Sequence, residues 1–550
     1  MKCPRSWSET YARTFPYLLL TITVAALVPR LVLGASQFIQ YDGYWHVFTA
    51  TQDRWALFLS EWHIDAHPPL YYLLLRIVAK MGHSHLVYRS PSIIPGVGSV
   101  YVIGLIARKL CRSTTVALLT AAAYGFSITI IDITCDVRGY ALALFLILLA
   151  FYYFLNFLLG ECQQKQVKRS LVLFGIFTSA AISVEYYAIF FWAACLGVVL
   201  LNALWDPDFR KTKLKWLIRE WYEVVPFIIG VPLCMMLYLY EAHWRFHLRP
   251  ETHVIQFYWN ASRPITEFIL QSLREDLNYI LPIGIPSTTV LLVSLLPIVA
   301  LNWFLILRQD RKVARAASTA PILMLVLLVS ELIVLAVIGR YPFGGDSRHQ
   351  SIIFPFLLLS GFLGLDRSVS FLRFPLMKKL VLFFTAALMI VSFSYWWRKY
   401  PKISQELFTP EYNLFASGLH PMQAVYVDRF SSIAYYTHTH TWTWQFQNHF
   451  VEPKRVDSYG LTTPSGEHLI LLRNKEWNFD VRSPGFYTDL AKSLRAAHVS
   501  GADLFYIASR DQAVLAVTQE AIGVLADQAG LAAGPILREN DGLFIAFRLK

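Results

Sequence analysis

The chain has 550 residues, of which 55% are hydrophobic and 16% charged, and its formal net charge is +12. A soluble domain carries about 25% charged residues, and here the apolar residues come in runs as long as a bilayer is thick, which excludes an ordinary soluble protein. The positive charge does not point to nucleic acid, because the basic residues cluster in short loops between apolar runs, a pattern of topology and not of a binding patch.

The first run, TFPYLLLTITVAALVPRLVLG from Thr14, is about one crossing, since a spanning helix needs roughly 20 residues. It lacks a small-residue cleavage site and many similar runs follow it, so it reads as a span and not as a signal peptide. Spans are expected at 15–34, 88–107, 114–131, 139–159, 170–184, 187–204, 222–241, 283–307, 319–339, 350–366 and 380–397. The fold class is therefore an α-helical polytopic membrane protein of about eleven transmembrane helices, with its two ends on opposite sides.

The basic clusters set the orientation. Arg5 and Arg13 precede the first span; Arg108, Lys109 and Arg112 follow the second; later clusters at 165–169, 210–219, 308–315 and 373–379 fall on the same side. That side is cytoplasmic by the positive-inside rule. HPPLYYLLLRIVAKMG, residues 67–82, is too short for an ordinary crossing and contains Arg76 and Lys80. It reads as an amphipathic helix lying on the outer surface and started by Pro68 and Pro69.

Residues 1–397 thus form a membrane domain, and 398–550, which are more polar, form a soluble extracytoplasmic domain. QAVYVD, EHLILLR and DLFYIAS read as strands there, and FYTDLAKSLRAA and QAVLAVTQEAIGVLADQAG as helices, which predicts a small α/β domain. It has no nucleotide-binding glycine pattern. THTHTWTWQFQNHF, residues 437–450, reads as an exposed strand or loop with alternating rings, and Asn260 in WNAS is a glycosylation sequon on the outer side. Six cysteines, none beyond Cys234, have neither metal nor redox spacing.

With this orientation, unusual polar residues gather on the outer face. The first outer loop holds Asp42, His46, Asp53, Arg54, Glu61, His63, Asp65 and His67. DITCDVRGY, residues 132–140, brings Asp132, Asp136 and Arg138; the VEYY turn brings Glu185, Tyr186 and Tyr187; GRYPFGGDSRHQ, residues 339–350, brings Arg340, Asp346, Arg348 and His349. One such residue reads as a loop charge satisfied by water or lipid headgroups, but four loops distant in sequence, each with carboxylates or arginines, predict a shared site. Carboxylates serve as general bases, arginines bind phosphate through fixed bidentate hydrogen bonds, and rings such as Tyr41, Tyr44 and Trp45 offer stacking surfaces for a sugar. A base, a phosphate clamp and a lipid-facing cavity suit a reaction on a lipid-linked phosphate.

Over residues 10–365 these features resemble the GT-C class of integral membrane glycosyltransferases, the branch with protein O-mannosyltransferases and lipid A aminoarabinose transferases. The matching features are Asp42 in YDGYWHV after the first span, the proline-rich helix HPPLYYLLLR, DVRGYALALFL at the fourth span, and YPFGGDSRHQSIIFPF before a late one. The resemblance implies a polyprenyl-phosphate sugar as donor, an acceptor hydroxyll on a lipid, glycan or protein, inversion at the anomeric carbon, and no nucleotide sugar or nucleic acid partner. It implies a bacterial plasma (inner) membrane protein with the N-terminus cytoplasmic and the C-terminal domain extracytoplasmic. Asp42 would be the general base or the carboxylate that orients the acceptor, and Asp136 a second substrate carboxylate, or the salt-bridge partner of Arg138. Arg138 and Arg348 would stabilise the departing phosphate, Asp65 and His67 would position acceptor or lipid head, and Glu185, Tyr186 and Arg340 would complete the substrate site. Several relatives have two adjacent acidic residues after the first span where this chain has Asp42-Gly43, and some have histidine or lysine where it has Glu185, which leaves the donor sugar open. No cofactor is expected; Asp42, His46, His63 and His67 could supply ligands to a divalent metal, but at no standard spacing. Two other classes fit less well: a transporter or flippase of a lipid-linked sugar, which would place charges near the midplane within repeated halves, and a non-catalytic glycan-binding scaffold, which leaves the charged loops unexplained.

Overall fold

A computed structural model describes most of residues 5–219, residues 258–280 and 312–404 with short breaks, and beyond them chiefly the strands of a sheet. The chain divides into two compact units, one made of residues 1–35, 65–74 and 89–399, the other of 36–64, 75–88 and 400–550.

The first unit is helical. Its helices are α1 (Arg5–Ser36), the start of α4 (Pro69–Ala79, with α2 and α3 given below), most of α5 (His85–Leu110), α6 (Thr114–Gly125), α7 (Ile128–Cys135), α8 (Tyr140–Leu159), α9 (Gln164–Ile182), α10 (Ala188–Trp205), α11 (Ile265–Ile280), α12 (Lys312–Val337), α13 (Ile353–Phe371) and most of α14 (Pro375–Ser404). Among the described residues seven stretches are long and apolar enough to cross a membrane: Thr14–Ser36, His85–Leu110, Tyr140–Leu159, Ala188–Trp205, Ala316–Val337, Ile353–Phe371 and Pro375–Arg398. The protein is an integral membrane protein. In α8, YALALFLILLAFYYFLNFLL, no face is polar, as expected where lipid or protein lies on every side. Helix α8 packs along α9, α10 on α12, α12 on α13, and α13 on α6.

Two expectations change in detail, and two more fall where the structure does not describe the chain. The span expected at 114–131 is two helices, α6 and α7, bent by 52° at a break and continuing to Cys135. Residues 170–184 fall largely in α9, whose first turns carry Lys165, Lys168 and Arg169, so its apolar stretch is shorter than those of the seven. The spans expected at 222–241 and 283–307 lie outside the described residues.

Buried cations and one buried anion fasten this bundle at its helix ends. Arg30, buried in α1, donates from Nη1 to Gly125 O at 2.8 Å and from Nε to Thr134 Oγ1 at 2.9 Å, so it serves a carbonyl at the α6–α7 break. Gly96 of α5 allows the close approach of α7, because a Cβ there would meet Thr134 Cβ at 2.5 Å. At the far end of α5, Asp366 Oδ2 accepts the backbone N–H of Arg112 at 2.9 Å and Oδ1 that of Ser113 at 2.8 Å, while Arg367 pairs with Asp366 at 2.6 Å and donates to Leu110 O at 3.2 Å. The orphan groups of two helix ends are thereby satisfied by one buried ion pair.

The second unit contains α2 (Tyr41–Ala50), α3 (Trp55–Ile64) and a seven-stranded sheet. Arg76, on the last turn of α4, lies over the rings of Trp55 and Phe58 at 4.8 and 5.1 Å and donates to Ala50 O at 3.1 Å and to Gln52 O, closing the C-terminal end of α2. With 11 residues, α4 is about 17 Å long, well short of the hydrocarbon core, as its sequence predicts.

The sheet has the order β2-β3-β4-β1-β5-β7-β6, from β1 (Ala424–Val427), β2 (Trp444–Gln447), β3 (Ser458–Thr462), β4 (His468–Leu472), β5 (Leu504–Ala508), β6 (Ala533–Asn540) and β7 (Phe544–Leu549). β1 runs parallel to both β4 and β5, and every other pairing is antiparallel. QAVYVD, EHLILLR and DLFYIAS contain β1, β4 and β5, and the Trp444–Gln447 part of the His/Trp-rich stretch is the edge strand β2. The two expected helices of this region lie mostly outside the described residues.

Candidate active site

The first unit brings together loops that are far apart in sequence. Asp136 caps the C-terminus of α7, with its own Oδ1 accepting the Val137 N–H at 2.8 Å. Its Oδ2 lies 3.6 Å from Nη1 of Arg348, on the 3-10 turn Ser347–Gln350 that leads into α13. Arg138, two residues on, is buried and donates from Nη1 to the Tyr140 hydroxyl at 2.8 Å, with its Cζ 5.5 Å from that ring's centroid. The carboxylate that could have paired with its neighbour Arg138 thus has an ion-pair partner in a distant loop.

Glu185, buried in the turn between α9 and α10, meets Nδ1 of His67 at 3.1 Å through Oε2. Its Oε1 is buried without a hydrogen-bond partner among the described residues. The carboxylate lies against Gly139, where a Cβ would come within 2.6 Å of Oε1 and 3.1 Å of Val184 O. This is the reason for glycine in DVRGY: the chain needs an atomless side at that point. Leu70 N–H donates to Ser183 O at 3.1 Å, which ties the start of α4 to the same turn.

Tyr140 is the hub of these loops. Its ring stacks on Tyr187 at 6.1 Å and meets His67 and His349 edge to face at 6.5 and 6.3 Å. The Tyr187 hydroxyl donates to Tyr140 O at 3.5 Å, and the Tyr341 hydroxyl to His349 O at 3.2 Å. Burial, reinforced by Glu185, pushes the hydroxyls of Tyr187 and Tyr341 well above the ordinary tyrosine range, and burial does the same for Tyr71 of α4. All three stay neutral hydrogen-bond donors at neutral pH.

Of the residues singled out in the sequence, His67, Asp136, Arg138, Glu185 and Arg348 therefore converge. In the VEYY turn it is Tyr187 that is buried within the cluster, while Tyr186 is half-buried beside it. Arg340 is exposed after α12, where its backbone N–H closes the helix on Leu335 O at 2.8 Å. Asp65 lies outside the described residues. Asp42 belongs to the second unit, in the first turn of α2, where carboxylates are favoured, and its carbonyl accepts a hydrogen bond from His46 Nδ1 at 2.8 Å. Tyr44 and Trp45 are buried and stacked on each other at 5.7 Å, so they pack the interior and are not the open sugar platform expected of them. Among the described residues no three His, Cys, Asp or Glu side chains converge as a ligand set. Tyr140 escaped the sequence reading, and Tyr187 entered it only as a neighbour of Glu185, because an aromatic residue at a span end looks like an interfacial anchor; the sign was a ring two residues beyond Arg138 and beyond Glu185.

Comparisons with known proteins bear on the fold and on one domain of the chain. Residues 57–247 match the family described as dolichyl-phosphate-mannose-protein mannosyltransferase. The crystal structure of ArnT from Cupriavidus metallidurans bound to undecaprenyl phosphate superposes with a TM-score of 0.55 at 12% identity, covering 96% of this chain and 97% of that one. Its apo state gives 0.55 at 11% identity with the same coverage. The S. cerevisiae protein O-mannosyltransferase Pmt1–Pmt2 complex bound to the sugar donor gives a TM-score of 0.33 at 19% identity, and the match spans 45% of this chain and 36% of that one. No curated protein sequence matches the chain. The fold is thus that of ArnT over nearly the whole chain, and the matched mannosyltransferase domain spans residues 57–247 within it. The family match runs from α3 past α10.

Proposed function

We propose that this protein is a GT-C membrane glycosyltransferase that moves a sugar from a polyprenyl-phosphate donor to a hydroxyl of a lipid, glycan or protein acceptor on the outer face of a bacterial plasma membrane, with inversion. The observation that carries the reading is the meeting of two arginine-bearing loops and two carboxylates around Tyr140. The donor class is further supported by the undecaprenyl phosphate bound to ArnT and the family's dolichyl-phosphate mannose. The placement of every dense basic cluster on one side of the spans supports an outward-facing site and a cytoplasmic N-terminus.

In this reading Arg348 and Arg138 stabilise the charge that develops on the departing lipid phosphate, where fixed cations withdrawn from water act most strongly. Asp136 orients Arg348. Glu185 and His67 position the acceptor or the lipid head, with Asp65, Tyr186 and Arg340 as further substrate contacts. Asp42 takes the acceptor proton, and its contribution is placement as much as basicity. Residues 1–397 form the transferase domain, and 398–550 an extracytoplasmic domain that selects the acceptor.

The test is sugar transfer or release from a panel of polyprenyl-phosphate sugars by the purified full chain in lipid nanodiscs, for wild type and Asp42→Asn. Turnover by wild type that falls at least about 100-fold in the variant is the expected result, the scale of a lost general base. Turnover unaffected by Asp42→Asn removes that residue from the reaction, and no turnover of any donor, with or without candidate acceptors, refutes the donor class.

A further inference from the structure

The segment Asp136–Arg138 is gripped at both ends by one face of α5, and we infer that Arg89 and Ser92 are positioning residues for the two charged groups it carries. Arg89 Nε donates to Cys135 O, the last carbonyl of α7, at 2.7 Å. Ser92 Oγ donates to Arg138 O at 3.0 Å. Residues three apart on a helix share a face, so one turn of α5 holds the backbone immediately before Asp136 and at Arg138 itself. This rests on the roles proposed above for Asp136 and Arg138.

The grip is built into the interior. Both Arg89 and Ser92 are buried. Arg89 also donates from Nη1 to Gly34 O at 2.7 Å, in the last turn of α1, so one cation sits on the carbonyl ends of two helices. Ser92 has a single hydroxyl proton and gives it to Arg138 O; Tyr71, whose hydroxyl lies 2.9 Å from Ser92 Oγ, is therefore the donor in that pair. A chain of donors runs from Tyr71 through Ser92 to the backbone of the site.

The segment needs such support. Helix α7 has only eight residues, about two turns, and cannot fix its own end by cooperativity. After it the chain makes no regular hydrogen bonds until α8 begins at Tyr140. Within that gap the Asp136 carboxylate must face Arg348 and the Arg138 guanidinium must reach Tyr140. A misplacement of about 1 Å in such groups costs on the order of 100-fold in rate.

The test compares Ser92→Ala, Ser92→Thr and Arg89→Lys with wild type, all as full chains in nanodiscs. Two readouts are taken: hydrogen–deuterium exchange of peptides covering 132–140, against peptides of α13 as an internal reference, and steady-state kinetics with a polyprenyl-phosphate sugar that wild type turns over. Ser92→Ala is expected to raise exchange in 132–140 but not in α13, and to lower kcat about 10-fold with donor KM within about 2-fold. Ser92→Thr, which keeps the hydroxyl, is expected to restore both, and Arg89→Lys, which loses the two-carbonyl reach, to show the same pattern more strongly. Unchanged exchange at 132–140 in Ser92→Ala, or a kcat that does not follow that exchange across the three variants, overturns the inference. If wild type turns over no such donor, the functional reading fails on its own account, and the exchange pattern still decides whether α5 holds the segment.

Discussion

Arg348 and Asp136 lie 3.6 Å apart, one on the 3-10 turn before α13 and the other on the cap of α7, with both side chains largely withdrawn from solvent. Neither could be assigned this partner from its neighbours in sequence. A pair of this kind predicts coupled kinetics. Arg348→Ala is expected to lower kcat/KM about 100-fold, the lower range for removing a donor to developing charge. In a double-mutant cycle with Asp136→Ala, the coupling energy should fall at about 0.5–3 kcal/mol. Strictly additive effects would show that the two groups act independently.

Tyr140→Phe isolates the hydroxyl that accepts from Arg138, because the ring and its stacking on Tyr187 are retained. The expected result is a fall in kcat of roughly 5–10-fold, matching a net hydrogen bond of about 1 kcal/mol, with little change in melting temperature. An unaltered kcat would mean that Arg138 needs no partner at Tyr140.

Gly139→Ala puts a Cβ 2.6 Å from Glu185 Oε1 and 3.0 Å from Val184 Cγ1. Overpacking of this kind costs about 1–3 kcal/mol. The variant should melt at lower temperature and lose transfer activity, and Glu185→Gln in the same chain should not relieve the clash, because the amide is as large as the carboxylate. A fully stable, active Gly139→Ala would show that the Val184–Glu185 turn yields readily.

Asp366→Asn provides the contrasting case. Asp366 serves the backbone N–H groups of Arg112 and Ser113 and the guanidinium of Arg367, beyond the far end of α5. That helix has 26 residues, about 39 Å from the Arg89 turn's end to the other. Loss of the charge should destabilise the fold by about 1–3 kcal/mol, read as a lower melting temperature, while kcat/KM of the remaining folded enzyme stays at the wild-type value. A selective loss of kcat/KM without loss of stability would indicate coupling along α5.

Much of this was legible in the sequence for local reasons. The runs at Thr14–Ser36, Tyr140–Leu159 and Ile353–Phe371 are visible because a helix in hydrocarbon must be apolar over about 20 residues. The shortness of α4 is visible because Arg76 and Lys80 interrupt its run. The α6–α7 break was not, since Gly125 and Ser127 sit inside an apolar run of one-span length, and what serves the break is Arg30 on another helix. Tyr44 and Trp45 were misread for a related reason: at a span end the same ring suits an interface, a sugar platform or a core, and only packing selects among them.

The sequence by itself determined that the chain lives in a membrane, where most of its long apolar helices fall among the described residues, and which loops carry charge, because the bilayer imposes those constraints residue by residue. Only the tertiary structure decided that Asp136 faces Arg348, that Glu185 holds His67, and that Arg138 turns to Tyr140. Each of these charges had several partners of suitable sign in the sequence. The choice among them is made by helix ends that pack within a few ångströms, and electrostatic attraction between such groups falls off too steeply with distance and solvent for anything but that packing to make it.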